Sequence, residues 1–392
     1  MQLFFYCNAI TDDIRTSRNI VGDSPAATRK VIGLCKACRT AGIDARIVSM
    51  GRGSVGRFGW HGTKTDTIDG IPTYFGPMLH VPVFSYLVTM VWMAWFALRN
   101  SNIKRRQAHL FYNQLTFYLP ALMLLFMKGH KTYVDIEDAP IVDLPYQTSH
   151  FLPKFGANAP SRIFSSYVNG GALLASSALA AGTRIRPTLA YYGAVDIKNE
   201  RSERDGYPLY ILASGTLEPA TGMTLLAQSL ELVDLHNLSK CITVYITGQG
   251  SSVSELQEVI KRLKNVKVMM LGRVSAVDYC NILEQADIGL SLKLVGGPYA
   301  DSTFPSKAIE YAENGLMVIS TDISDVRTIF GTSASYLNTN NPTTLAETII
   351  TAAQNPRETR ILGKQAQRII ADRMSYPHVG ERLKDFFFGA AL

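Results

Sequence analysis

Apolar and polar positions follow one another in blocks of strand length and helix length, and the same order of blocks occurs twice. In the first half, apolar segments at residues 3–7 and 45–50 flank a helical pattern over residues 26–41, which Gly42 closes. Two long helices are predicted next, and then strands at residues 131–136, 171–179 and 188–192. A β-loop-α-β order of this kind is typical of a parallel sheet with helices on its faces.

The pattern begins again after residues 196–208, which are charged and polar and end in Gly-Tyr-Pro. Strands and helices then alternate at a spacing of about 25 residues, as parallel crossovers require. Strands are predicted at residues 209–213, 241–247, 266–271, 288–292 and 317–321, and helices at 223–235, 254–263, 276–285, 306–314 and, as one last helix, 356–388.

The sequence therefore predicts an α/β protein with two doubly wound Rossmann-like domains that face a central cleft. We place the first domain at residues 1–200 and the second at residues 201–370. Residues 371–392 are predicted to pack back toward the first domain. In such sheets ligands bind beyond the carboxyl ends of the strands.

Composition supports two packed cores and an anionic partner. Of 392 residues, 47% are hydrophobic and 18% charged, and the net charge is +7, which suits nucleotide phosphates, phospholipid headgroups or nucleic acid. The basic residues are dispersed without an aromatic-basic platform, so no nucleic acid is expected. The odd count of five Cys, with Cys35 and Cys38 inside a helical pattern, favours a reducing, cytoplasmic compartment. No signal peptide is expected, since residues 1–9 run straight into a strand.

One apolar stretch raises the question of a membrane. Residues 81–98 carry no charge and precede Arg99, Lys104, Arg105 and Arg106. As a helix they would extend about 27 Å, which is marginal for a bilayer core. Three interpretations stay open: a buried helix, a helix that dips into the membrane face with its basic flank on anionic headgroups, and a true span.

Four ordered segments of the second half carry a family resemblance: residues 212–230, 244–251 (VYITGQGS), 266–292 and 302–321 (STFPSKAIEYAENGLMVIST). They resemble the retaining GT-B glycosyltransferases of the group 1, family 4-like type, which include sucrose synthase and bacterial mannosyltransferases. The last segment stands where the family has its E-x7-E motif, in an F-P-S-K variant. The first half agrees with the family only in the order of its elements. The resemblance implies the GT-B fold, with residues 1–200 as the acceptor-side domain and residues 201–370 as the donor-binding domain.

The F-P-S-K segment also has a physical interpretation. Thr303 and Phe304 lead into a helix predicted from near residue 306, whose free N–H groups and positive end suit a pyrophosphate. Lys307 adds a full positive charge to the phosphates or pairs with a carboxylate. The resemblance implies that Glu310, one turn further on, accepts hydrogen bonds from ribose hydroxyls. A solvated Lys-Glu pair on a helix face is the alternative.

Other donor-binding candidates come from the ends of predicted strands. Gly215 and Gly222 bracket a loop that lets the backbone approach phosphate, with Thr216 beside it and Gly248 after the next strand. The resemblance implies that backbone groups at Arg273 and Val274 hold the nucleobase. Lys293 is a candidate for the phosphates. Ser302 replaces the first Glu of the family motif, with Asp301 beside it, which leaves the donor sugar undefined.

The first half offers fewer candidates. Ser24 can cap the helix that begins at Pro25. His109 lies near the position of the family's N-domain histidine, and a satisfied core histidine is the alternative. Glu137 and Asp138 follow a strand and suit a polar role in the cleft. Together His109, Glu137 and Asp138 form the predicted catalytic set.

The resemblance implies a hexosyltransferase-like enzyme of polysaccharide biosynthesis. It would move a sugar from a nucleotide-diphosphate sugar to a cell-envelope glycan or lipid-linked acceptor, with retention. We expect neither a cofactor nor a metal, because the leaving diphosphate can take the acceptor's proton and the sequence has no D-x-D or His cluster at ligand spacing. The expected location is cytoplasmic, peripheral on the inner face of the plasma membrane. A nucleotide-sugar epimerase and a non-catalytic sugar-nucleotide-binding subunit are the alternatives.

Overall fold

The chain forms two compact units. The computed structural model describes residues 1–22, 24–55, 59–81, 84–137, 161–196, 206, 208–236, 242–297 and 300–389. Unit 1 consists of Met1–Ala194 and Met374–Leu392, and unit 2 of Val195–Arg373. The sequence predicts the two changes of domain at residues 200 and 370. The predicted linker, residues 196–208, lies mostly outside the described residues.

Unit 1 is built on an eight-stranded sheet with the order β12-β11-β10-β9-β1-β3-β7-β6, in which only the β6–β7 pair is antiparallel. Its elements, up to the crossing into unit 2, are β1 (Gln2–Cys7), α1 (Asp12–Ser17), β2 (Ile20–Gly22), α2 (Pro25–Thr40), β3 (Asp44–Ser49), β4 (Ser54–Val55), β5 (Trp60–His61), β6 (Lys64–Ile68), β7 (Ile71–Phe75), β8 (Met78–Leu79), α3 (Phe84–Asn100), β9 (Gln107–Tyr112), α4 (Leu119–Met127), β10 (Lys131–Ile136), α5 (Ser161–Ser165), β11 (Gly171–Leu174), α6 (Leu179–Gly182) and β12 (Thr188–Ala190).

Unit 2 is built on a six-stranded parallel sheet with the order β15-β14-β13-β16-β17-β18. Apolar side chains of its strands and of the helices on its faces form one core cluster, which includes Leu226, Ile246 and Ile349. Its elements are β13 (Leu209–Thr216), α7 (Met223–Asp234), β14 (Ile242–Gln249), α8 (Val253–Ile260), β15 (Lys267–Gly272), α9 (Ala276–Gln285), β16 (Ile288–Ser291), α10 (Ser306–Glu313), β17 (Met317–Thr321), α11 (Val326–Phe330), β18 (Ala334–Leu337), α12 (Pro342–Gln354) and α13 (Pro356–Met374).

The prediction of one helix over residues 356–388 is wrong. The chain forms α13 and then a separate helix, α14 (Tyr376–Phe388), with Ser375 extended between them. Pro377 explains the break, because a proline inside a continuous helix removes a hydrogen bond and clashes with the preceding turn. In unit 1, α14 packs on α2 so closely that a Cβ on Gly380 would lie 2.1 Å from the backbone oxygen of Ala37.

The apolar stretch at residues 81–98 forms most of α3, which uses two faces differently. Its inner face, with Trp92, Met93 and Phe96, is buried in the core of unit 1. The outer face carries exposed apolar side chains. Among the described residues, the structure contains no helix with both the length and the apolar character that a membrane crossing needs.

Candidate functional site

The carboxyl edge of the unit 2 sheet contains a topological switch point. The chain runs from β13 outward to β14 and β15, and then returns to the other side of β13 to form β16, β17 and β18. The loops after β13 and β16 therefore leave the sheet in opposite directions. A crevice at such a point is where ligands bind in open parallel sheets. Gly215, Thr216 and Lys293 lie at or just beyond these two strand ends.

Glycines allow the backbone at this edge to come unusually close. Gly215 pairs with Gly248 across β13 and β14, at φ values of +126° and +135° that L side chains rarely adopt. A Cβ on Gly248 would lie 1.8 Å from the backbone oxygen of Gly215. On the other side, a Cβ on Gly222 would lie 2.1 Å from the backbone oxygen of Leu292. Both positions therefore exclude larger residues.

The loop between β16 and α10 brings polar side chains to the same edge. Lys293 donates a hydrogen bond from Nζ to Oγ1 of Thr303, and its backbone oxygen accepts a bond from Thr321 at 2.5 Å. The Oγ of Ser302 is buried and has no hydrogen-bond partner among the described residues. Phe304 is half-buried in the same loop. A buried hydroxyl without a partner costs free energy unless a ligand or water satisfies it.

The first two turns of α10 hold a charged pair that is partly withdrawn from solvent. Lys307 Nζ lies 2.5 Å from Glu310 Oε2, and the two side chains are 25% and 13% exposed. Lys307 also donates to the hydroxyl of Tyr279 at 2.9 Å, and its ammonium lies 4.7 Å from the centre of the Tyr279 ring. The Lys-Glu pair is present on the helix, but it is not fully solvated, because a tyrosine from α9 covers it.

A chain of hydroxyl groups ends at Glu310, and its direction follows from counting hydrogens. A carboxylate only accepts, so Tyr279 donates to Glu310 Oε2, at 3.1 Å. The oxygen of Tyr279 must then accept from Ser214, at 2.8 Å. Ser214 has used its only hydroxyl hydrogen, so Tyr311 donates to Ser214 at 2.9 Å and accepts from the Ser214 N–H at 3.1 Å.

The two tyrosines of this hydrogen-bond chain are neutral. Burial, and then the negative charge of Glu310, raises the pKa of Tyr279. Burial also raises the pKa of Tyr311. Both phenols therefore stay protonated at neutral pH and act as hydrogen-bond donors. The sequence analysis missed Ser214, Tyr279 and Tyr311, because the contact joins three elements that are far apart along the chain.

Three other donor-binding candidates lie further out. Thr216 is exposed at the end of β13, where its backbone oxygen accepts a hydrogen bond from Thr221 at 2.6 Å. Arg273 is exposed and Val274 half-buried in the turn after β15, which Gly272 enters at a φ of +61°. These positions suit contacts made by backbone groups. The structure gives their side chains no anchoring contact comparable to that of Lys307.

Unit 1 has its own polar cluster at the carboxyl edge of its sheet. Lys30, in the second turn of α2, lies 2.9 Å from Asp135 Oδ1 and also contacts Glu137 Oε1. Its ammonium lies 5.1 Å from the centre of the Tyr191 ring. Burial raises the pKa of Asp135, and the charge of Lys30 opposes that rise. Of the predicted catalytic residues, Glu137 belongs to this cluster, whereas Asp138 lies outside the described residues.

The catalytic role predicted for His109 does not fit its position. His109 is the third residue of β9, about 10 Å before the carboxyl end of the strand, and is fully buried. Its ring stacks on Phe4 at 5.4 Å. Burial, and then the charge of His130, lowers the pKa of His109 to about 3. A neutral imidazole in the core of unit 1 corresponds to the alternative of a core histidine.

The predicted cap and cysteine pair also lie in unit 1. Ser24 accepts a hydrogen bond from the Ala27 N–H at 3.3 Å, with Pro25 as the first residue of α2, so the capping prediction is confirmed. Cys35 and Cys38 are fully buried within α2. No group of three or more His, Cys, Asp or Glu that could hold a metal occurs in the part of the chain that the structure describes.

Several solved structures match this chain over almost its whole length, at low sequence identity. The Anabaena protein Alr3699/HepE in complex with UDP has a TM-score of 0.66 at 14% identity, over 98% of this chain and 99% of that chain. Sucrose-phosphate synthase from Thermosynechococcus elongatus has a TM-score of 0.67 at 11% identity, over 99% of this chain and 98% of that chain. The chain has the GT-B fold.

One further solved structure and one sequence family also match. A variant of S. aureus TarM in complex with fondaparinux, alpha-GlcNAc-glycerol and UDP has a TM-score of 0.66 at 13% identity, over 99% of this chain and 100% of that chain. Residues 208–355 match the family described as glycosyl transferases group 1. A comparison with curated protein sequences found no match. The family match supports the resemblance of the second half; retention and the role of the F-P-S-K segment stay predictions.

Proposed function

We propose that the protein is a glycosyltransferase that moves a sugar from a nucleotide-diphosphate sugar to a glycan or lipid-linked acceptor of the cell envelope. The observation that carries this proposal is the half-buried Lys307–Glu310 pair, which lies in the first two turns of α10 on a segment inside the matched residues 208–355. An ion pair that only stabilises the fold can lie anywhere, whereas a donor site in a parallel sheet is expected at the carboxyl edge of the strands.

The expected roles follow from the chemistry of the groups. The positive end of α10 and Lys307 bind the diphosphate, and Glu310 accepts hydrogen bonds from ribose hydroxyls. The same positive groups stabilise the charge that grows on the diphosphate as the glycosidic bond breaks, and the diphosphate takes the acceptor's proton. We propose retention at the anomeric carbon, hexosyl transfer and no requirement for a metal. A chelator should then leave activity unchanged.

Uridine is the base to test first. The HepE and TarM structures contain UDP, and another HepE structure contains UDP-glucose. We propose a cytoplasmic enzyme that meets its acceptor at the inner face of the plasma membrane. Ser302 has a buried hydroxyl where the family has a carboxylate, so we expect it to contribute to the choice of donor sugar.

A thermal-shift panel of UDP, GDP, ADP, CMP, their common sugars and pyrophosphate tests the donor site. A ligand that binds only the folded protein raises the melting temperature by mass action. We expect one nucleotide to stabilise the wild type, and much less so Glu310→Ala. Pyrophosphate should bind Glu310→Ala at least as well as the wild type, because Lys307 is then released from its carboxylate.

Glu258→Ala is the matched control. Glu258, on α8, also pairs with a lysine three residues further on, Lys261, but the side chains of Lys261 and Glu258 are largely exposed, at 71% and 66%. Its nucleotide response should equal that of the wild type. Equal responses of Glu310→Ala and wild type to every nucleotide would rule out the ribose-binding role.

Two alternatives predict different products. An epimerase converts the donor sugar without any acceptor, so incubation with donor alone separates it from a transferase. A non-catalytic subunit binds the donor and turns nothing over. The replacement of the family's carboxylate by Ser302 is the observation that favours this second alternative.

A further inference from the structure

The outer face of α3 carries an apolar stripe that the core of unit 1 does not use. Five side chains at helical spacing are exposed by 40–68%, whereas the opposite side of the helix is buried. At about 100° per residue they fall within a stripe about 80° wide. The stripe consists of Phe84, Leu87, Val91, Trp95 and Leu98.

Two further exposed apolar side chains extend this surface beyond the helix. Ile103 is 66% exposed and Met127, at the end of α4, is 75% exposed. The two helix ends are held together, because Lys128 donates to the backbone oxygen of Leu98 and to Ser101, both at 3.4 Å. The stripe with Ile103 and Met127 is called the docking face. A contiguous exposed patch of this kind marks an interaction site.

Basic residues border one end of the docking face. Arg99 lies over the ring of Trp95, with 5.4 Å between guanidinium and ring centre. Lys104 and Arg105 follow Ile103 and are exposed, and Lys128 adds a further charge. Apolar side chains next to Lys and Arg are what a helix needs to lie in the interface of an anionic bilayer.

A cavity of about 650 Å³ adjoins this basic border, at the amino ends of β9 and β10. Its lining combines four cations and one carboxylate with aromatic rings, so it suits an anionic group attached to an apolar one. The lining includes Lys104, Arg105, Arg106, Lys131, Asp385, Tyr133, Phe386 and Phe387.

We propose that the docking face binds an anionic lipid bilayer, with α3 in the interfacial plane and the basic border and cavity on lipid phosphates. An anionic bilayer is favoured over a second copy of this chain as the occupant, because its phosphates complement the basic border that adjoins the apolar stripe. The proposal gives the membrane partner of the proposed function a defined face. Vesicle binding tests it without turnover, so its failure is distinguishable from failure of the transferase activity.

Co-sedimentation of the full chain with vesicles tests the proposal. We expect binding to phosphatidylcholine vesicles that contain phosphatidylglycerol, weak binding to phosphatidylcholine alone, and weakening by salt. Lys104→Glu combined with Arg105→Glu should weaken binding to the anionic vesicles at least about tenfold, since each basic residue near the surface contributes about fivefold. In a Trp60→Phe background, Trp95 fluorescence should shift to the blue on binding.

Matched variants test whether binding depends on the docking face itself or only on the net charge of the protein. Lys261→Glu with Arg262→Glu makes the same change of net charge just after α8, where the two side chains are 71% and 63% exposed, and should weaken binding less than about twofold. Val91→Ser with Trp95→Ser should abolish binding with an unchanged melting temperature.

Three results overturn the proposal. They are equal effects of the two charge-reversed pairs, no binding of the wild type to either vesicle, and a wild-type dimer that Val91→Ser with Trp95→Ser dissociates without any vesicle binding. The last result identifies a second copy of this chain as the occupant.

Discussion

Replacing Lys30 by Met removes the cation that compensates a fully buried carboxylate. Lys30 Nζ lies 2.9 Å from Asp135 Oδ1, and the Asp135 side chain is 0% exposed. At an effective dielectric constant of about 20, the pair attracts by about 6 kcal/mol. Removing one partner of a buried pair costs about 3–5 kcal/mol of folding free energy, because the other charge is left uncompensated. We therefore expect Lys30→Met to destabilise unit 1 by about 4 kcal/mol at neutral pH.

The stability that Lys30→Met loses should increase as the pH rises. Burial already raises the pKa of Asp135 above its value of 3.8 in the unfolded chain, and Lys30 opposes that rise. A raised carboxyl pKa contributes stability at low pH that is lost as pH rises through the folded-state pKa. Without Lys30 the folded-state pKa rises further, so the variant should lose more stability than the wild type between about pH 5 and pH 8. For one proton this difference is at most about 4 kcal/mol.

Tryptophan fluorescence measures unit 1 separately. The chain has three Trp, at positions 60, 92 and 95, and all belong to unit 1. Urea unfolding followed by this signal at several pH values gives the stability of the wild type and of Lys30→Met.

Lys36→Met is the control on the same helix. Lys36 pairs with Asp69 at 2.8 Å, but the two side chains are 33% and 55% exposed, so its loss should cost about 0.5 kcal/mol. Equal losses in the two variants, or a loss in Lys30→Met that does not change with pH, would refute the reasoning.

Two further substitutions test the packing of the candidate donor site in unit 2, by urea unfolding followed by circular dichroism. Gly248→Ala should cost about 3 kcal/mol or more, because its Cβ would meet a backbone oxygen at 1.8 Å in a left-handed conformation; Gly182→Ala, in open space, should be near neutral, and a neutral Gly248→Ala would contradict the close approach. Tyr311→Phe should cost about 1–3 kcal/mol because the Ser214 N–H loses its acceptor. Tyr336→Phe, whose hydroxyl bond is exposed, should cost less, and the reverse order would argue against the hydroxyl chain.

The pattern of unit 2 predicts its elements closely, because apolar strands and amphipathic helices alternate there with few interruptions. The bounds of α9 and β17 are those that the periodicity predicts. β13 extends to Thr216, beyond the predicted end at residue 213, because Gly215 pairs with Gly248 in the ladder. Local patterns contain no information on which distant residues meet, so the contacts of Tyr279 with Ser214 and Glu310 had no signal in the sequence.

The strands of unit 1 are predicted less well from the sequence, for two physical reasons. β6 reads KTDTI at the edge of the sheet, where a strand needs few apolar side chains. β9 reads QAHLFY, a short segment buried at every residue except Tyr112, and its periodicity does not separate strand from helix. The sequence pattern accordingly predicts two long helices before residue 131 and does not predict β9, the strand that places His109 inside the sheet. Lys30 and Asp135 meet only because α2 packs against the sheet.

The candidate donor site contains opposite charges that neutralise each other when no ligand is bound. Lys307 and Glu310 form a close pair, and Tyr279 bonds to both of them. Under the proposed function, a diphosphate competes for Lys307 while ribose hydroxyls donate to Glu310 in place of the lysine, so a nucleotide satisfies both charges at once. Pyrophosphate alone would take Lys307 and leave the carboxylate without that cation, a state that is costly in a half-buried site. We therefore expect the pair to select nucleotides over free pyrophosphate, in addition to binding each part.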